Sequence, residues 1–235
     1  MDFHTIVYAI LGGLVPAVIW LLFWLREDVR HPEPKYRIGL SFVAGMVAVL
    51  VVLPIETSTY TLLIARPPVL FTFWAFSEEV LKLIACFIVA LRMRDTDEPI
   101  DAVIYMLTTA LGFAAMENIL FLLNPLQDGN IVQTILTGNL RFVGASLLHV
   151  ISSGTIGVFI ALSFYKTWIQ KQIYLIFGLI GAVVLHTVFN LFIIRESSQT
   201  ALITFGVVWI GIIVLIVFFE KVKTIYPVGP KKSNK

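Results

Sequence analysis

IGLSFVAGMVAVLVVLPI, residues 38–55, carries no charged side chain. A helix needs about 20 apolar residues to cross a bilayer, and this run comes close. Similar runs recur at about 4–25, 69–91, 100–123, 140–164, 173–194 and 200–220. They are continuous, without the 3.6 or 2.0 spacing that marks an element half-buried in a soluble protein. Of 235 residues, 58% are hydrophobic and 14% charged, whereas soluble domains carry about 25% charged residues. Lipid is therefore the expected solvent. The expected fold is all-α: one polytopic transmembrane bundle over residues 1–235, with about seven spans. Its core lies at about 69–194, followed by a basic tail at 221–235. The first run lacks a basic leader and a small-residue cleavage site, so it reads as a mature span.

Basic residues orient such a bundle, because cytoplasmic loops are enriched in Lys and Arg. One side collects Arg26, Arg30, Lys35 and Arg37, then Arg92 and Arg94, then Lys166 and Lys171. The tail adds Lys221, Lys223, Lys231, Lys232 and Lys235 to that side. The other side holds only Arg66, Arg141 and Arg195. This alternation predicts an outer N-terminus and a cytoplasmic C-terminus. The net charge of +2 is loop charge, and no nucleic-acid-binding motif accompanies it. Cys86 lies in a span and has no second cysteine to pair with. Trp20, Trp24 and Trp168 read as interfacial anchors. Pro16 and Pro54 read as kinks or helix ends.

The chemistry lies in ionisable residues placed where lipid is expected, which by default mark a buried functional site. The third span, VLFTFWAFSEEVLKLIACFIVAL, contains Glu78, Glu79 and Lys82. The fourth contains Glu117 and Asn118, the fifth His149, and the sixth His186 and Asn190. At about 1.5 Å per residue, Glu78, Glu117, His149 and His186 each lie roughly 9–14 Å below the outer edge. Four polar groups on four helices thus share one layer. Helical spacing puts Lys82 on the face of Glu78 and Glu79, Phe113 on that of Glu117, and Asn190 on that of His186. The plain alternative for the charged trio is an ion pair that holds helices together. Ser152 and Ser153 read as close-packing residues.

Such a set could hold a divalent metal, since zinc accepts imidazole and carboxylate. It could also activate water directly, with a Glu as base and His or Asn stabilising the oxyanion. Both routes lead to hydrolysis.

The pattern resembles the PrsW family of intramembrane proteases. Its EExxK motif matches Glu78-Glu79-Val80-Leu81-Lys82, and its FxxxE motif matches Phe113 to Glu117, followed by Asn118. Its single His matches His149, and its HxxxN motif matches His186 to Asn190. The resemblance implies a peptidase of a bacterial plasma membrane that cuts a membrane-anchored protein, such as an anti-sigma factor, near the outer half of the bilayer. It implies catalytic roles for Glu78, Glu79, Glu117, His149, His186 and Asn190, supported by Lys82, Phe113 and Asn118. A metal, Zn2+ for instance, would sit at Glu117, His149 and His186, with Glu78 or Glu79. The alternatives are a non-catalytic scaffold of the same fold, a CAAX prenyl endopeptidase-like enzyme, and a transporter using the carboxylates. Prenyl proteases usually place a His where Glu117 stands. Transporters often show repeated halves, and no repeat is visible.

Overall fold

The computed structural model describes residues 2–27, 32–130, 133–135, 144–193 and 198–226. The apolar runs fold as helices because a backbone in lipid must satisfy its own hydrogen bonds. Helix α1 spans Phe3–Arg26, α2 Lys35–Leu63, α3 Pro67–Cys86 and α4 Pro99–Gln127. They are followed by α5, Ser146–Leu162, α6, Trp168–Ile193, and α7, Ser198–Val222. A π-helical turn, Phe87–Leu91, continues α3. No strand occurs among the described residues, so the all-α expectation is borne out. Helices α1, α2, α4 and α6 are long and apolar enough to cross a membrane, and α5 is a shorter apolar helix. Parts of the orientation reading lie outside the described residues: Arg30, Arg141, Arg195 and the tail from 227 onward.

Helix α4 is the central post. Every residue from Pro99 to Ala115 is buried, and α1, α2 and α5 pack around it. Its start is set by Pro99 in the first turn and a reciprocal capping box between Glu98 and Asp101. Small residues let its neighbours approach closely. A Cβ on Gly45 would overlap the Thr109 carbonyl of α4, and one on Gly112 would overlap the Phe42 carbonyl of α2. This crossing therefore depends on glycine from both helices. Val43, Leu50, Ile180 and Ile213 point outward and are exposed, an arrangement suited to lipid.

Three local readings change. Pro16 and Pro54 lie inside α1 and α2, and neither ends its helix. Trp24 is 1% exposed and packs against Phe219 at 5.6 Å between ring centres, so it is a core residue, not an interfacial anchor. Helix α2 runs two turns beyond the apolar run, to Leu63.

The π turn is held by α2. Arg37 donates to the Val89 carbonyl at 2.9 Å and pairs with Asp95 at 2.6 Å. Tyr36 donates to the same Asp95 oxygen at 2.7 Å. These hydrogen bonds hold the Asp95 carboxyl below its usual range. A depressed carboxylate stabilises the fold above its unfolded pKa, and that gain is lost as pH falls through the folded value. An Asp95→Asn variant should therefore melt slightly below the parent chain at neutral pH, and the gap should narrow as pH falls below the usual carboxylate range. Scanning fluorimetry of both proteins in detergent checks this, and a pH-independent gap would contradict it.

Candidate functional site

Four helices each deliver part of one polar cluster: α3 Glu78, Glu79 and Lys82, α4 Glu117, α5 His149 and Ser153, and α6 His186. The spacing within α3 turns Glu78 and Lys82 to one face while Glu79 sits a third of a turn away. All three are buried, with Glu79 and Lys82 wholly so.

Lys82 is the hub. Its Nζ lies 2.6 Å from Glu79 Oε1, 3.0 Å from His149 Nδ1 and 3.7 Å from Glu78 Oε2. It also sits 4.5 Å from the centre of the Phe113 ring, a cation–π contact. An ammonium has only donors, so His149 Nδ1 accepts. The other imidazole nitrogen, Nε2, then carries the proton and donates to Glu117 Oε2 at 2.9 Å. This chain of contacts fixes one tautomer of His149.

Glu79 is fully engaged. Besides Lys82, it accepts from Ser153 Oγ at 2.7 Å and contacts His186 Nδ1 at 2.9 Å. A carboxylate on Nδ1 directs the other nitrogen of His186 away from itself, an arrangement that orients imidazoles at metal sites. His186 Nε2 accordingly faces Glu78 Oε2, at 3.7 Å. His149 Nδ1 approaches the same oxygen, at 3.8 Å.

That oxygen, Glu78 Oε2, is buried and has no hydrogen-bond partner. One ligand atom from each of Glu78, His149 and His186 lies within 4.8 Å of the others. A buried carboxylate oxygen without a partner, between two imidazole nitrogens, suits a divalent ion of the zinc type. The Nδ1 lone pair of His149 can serve either Lys82 or such an ion, not both.

The cluster opens into a cavity of about 370 Å³ whose walls include Glu56, Trp74, Glu78, Glu117, His149, His186 and Asn190. The structure thus gathers Glu78, Glu117, His149, His186 and Asn190 around one space, with Glu79 and Lys82 behind it. Phe113 is buried against both Lys82 and the His149 ring, 5.3 Å from the latter. Asn118 is directed elsewhere: its Nδ2 donates to Ser146 Oγ at 3.1 Å and ties α4 to α5. Ser153 is more than a small packing residue, because it fixes Glu79. Glu56 escapes the sequence reading altogether, since Pro54 marks the end of the apolar run. The signal was a buried stripe at Gly45, Val49 and Val52, whose helical continuation is position 56.

The sequence profile of a family described as PrsW family intramembrane metalloprotease matches residues 33–219. Among curated proteins, Protease PrsW of Geobacillus kaustophilus is 34% identical over 119 residues, 48% of this chain and 51% of that protein. Protease PrsW of Shouchella clausii is 25% identical over 179 residues, 75% of this chain and 79% of the relative. Protease PrsW of Bacillus subtilis is 28% identical over 114 residues, 48% of this chain and 52% of the relative. The chain thus spans about half the length of the Geobacillus and Bacillus proteins. No solved structure matches it.

Proposed function

The chain belongs to the PrsW family of intramembrane metalloproteases, and from that premise we propose that it hydrolyses a peptide bond of a membrane-anchored protein in the cavity beside Glu78. It is a multi-pass membrane protein with bacterial relatives. The single observation that carries the reading is Glu78 Oε2, buried and without a hydrogen-bond partner, facing one nitrogen of each imidazole.

Glu78, His149 and His186 would hold the metal. A bound divalent ion supplies Lewis-acid polarisation of the scissile carbonyl and a water that loses a proton near neutral pH. The chain's own residues do the rest. Glu79 and Ser153 fix the ring of His186, while Lys82 neutralises Glu79. Glu117, on the cavity wall, accepts the proton of the attacking water and returns it to the leaving amine nitrogen as the C–N bond breaks. The Asn190 amide donates to the oxyanion as the carbonyl becomes tetrahedral. The loop charge supports seven crossings with the N-terminus outside, and that topology favours a cut in the outer half of the bilayer. An anti-sigma factor is the substrate class the family resemblance suggests.

The test uses the full chain in detergent with a library of peptides, each carrying an apolar anchor and a varied juxtamembrane segment, cleavage being mapped by mass spectrometry. Chelation should lower cleavage by at least about a hundredfold, and added zinc should restore it. The protein as purified should hold roughly one zinc per chain. Full cleavage by demonstrably metal-free protein would remove the metal from the reading.

A further inference from the structure

Glu56 has no part in the scheme above. It sits on the second half of α2, half-buried, and lines the same cavity as Glu78 and Glu117. Its carboxyl lies near those of Glu78 and Glu117 in that cavity. The other acids of the cluster each have a basic neighbour: Glu79 has Lys82, Glu117 has His149, and Glu78 lies near Lys82 and both imidazoles. Among the described residues, no Lys, Arg or His makes a salt bridge to Glu56, and the Lys82 ammonium of the same cluster already serves Glu79 and His149.

The surroundings of Glu56 are aromatic. Trp74 and Phe71 share its cavity wall, and the two rings meet edge to face at 5.6 Å. Trp74 is fixed to α2: its Nε1 donates to Thr59 Oγ1 at 3.2 Å, and its ring stacks on Tyr60. The α2–α3 pair therefore presents a carboxylate beside an indole and a phenyl ring on one cavity wall. That combination suits a long cationic side chain, whose methylenes lie on the rings and whose charge reaches the acid.

We propose that Glu56 is a specificity-determining residue that receives a Lys or Arg side chain of the substrate close to the scissile bond. This rests on the peptidase reading above and names the substrate class: a membrane-anchored segment with a basic residue beside the cut. The cation supplies the opposite charge that Glu56 lacks within the protein. It also holds the backbone in register with the cavity.

The same zinc-loaded full chain and anchored peptides test the idea, now with matched members carrying Lys, Arg, Gln or Glu at each position flanking the cut. The parent chain should favour Lys or Arg over Gln by about tenfold at one position, the scale of one charge-assisted hydrogen bond. In Glu56→Gln that ratio should fall toward unity, and in Glu56→Lys the preference should turn to Glu. A parent chain that cuts without charge preference overturns the specificity assignment alone, as does a Glu56→Gln variant that keeps the preference. A parent chain that cuts no peptide at all overturns the peptidase reading, and this assignment with it.

Discussion

Glu78→Gln is expected to lower kcat/KM for peptide cleavage by roughly 10³- to 10⁴-fold while leaving a folded protein. Gln keeps the shape of the side chain but replaces a charged acceptor with an amide that also donates. The oxygen in question is the group on which the site converges, 3.7 Å from His186 Nε2 and from Lys82 Nζ, and 3.8 Å from His149 Nδ1. Activity and metal content should be read together. With Glu78 as a ligand, the variant loses zinc and rate in parallel. Retention of zinc with the rate lost would move Glu78 from ligand to general base. A variant that keeps cleavage within tenfold of the parent would remove Glu78 from the chemistry. Glu79→Gln should behave differently. Glu79 is wholly buried behind the cavity, so the substitution disturbs Lys82, Ser153 and His186 together, and its loss of rate should come with a lower melting temperature.

The contrast between these two adjacent glutamates bears on how far a sequence discloses a site. Helical spacing was enough to put Glu78 and Lys82 on one face and to pair His186 with Asn190. The rise per residue was enough to bring four residues from four helices to one level. Partner choice was not accessible in the same way. That Glu117 meets His149 Nε2, and Glu79 meets His186 Nδ1, depends on how each helix is rotated about its axis. That rotation is set by contacts such as the Gly45–Gly112 crossing. Glu56 was hidden for a different reason. Proline is a helix breaker in water, and reading Pro54 that way ended the second span two turns early. In lipid the helix continues past it, because neighbouring groups re-satisfy the freed backbone. Trp24 shows the same limit in reverse, since composition alone cannot tell an interfacial indole from one packed on Phe219.

Lys82→Met should cost about 3–5 kcal/mol, the usual loss when one partner of a buried ion pair is removed. Lys82 is 0% exposed and bonded to a Glu79 carboxylate that is also 0% exposed. Without the ammonium, that charge keeps Ser153 and His186 as partners but has no fixed cation. In the metal-free protein His149 Nδ1 loses its donor as well, which frees the ring to take its other tautomer and weakens the hold of Glu117. At about 2–4 °C per kcal/mol for a chain of this size, the melting temperature should fall by about 10 °C. Adding Glu79→Gln removes the stranded charge, so the double variant should be more stable than Lys82→Met alone, although each change singly is harmful. Melting curves of the four proteins in one detergent give the coupling directly. Additive losses would mean that Glu79 and Lys82 act independently, against the 2.6 Å contact between them. Cleavage should not recover with stability in the double variant, because His186 still lacks the carboxylate that orients it. That separation of folding from rate distinguishes a positioning pair from an ion pair that merely holds α3 together.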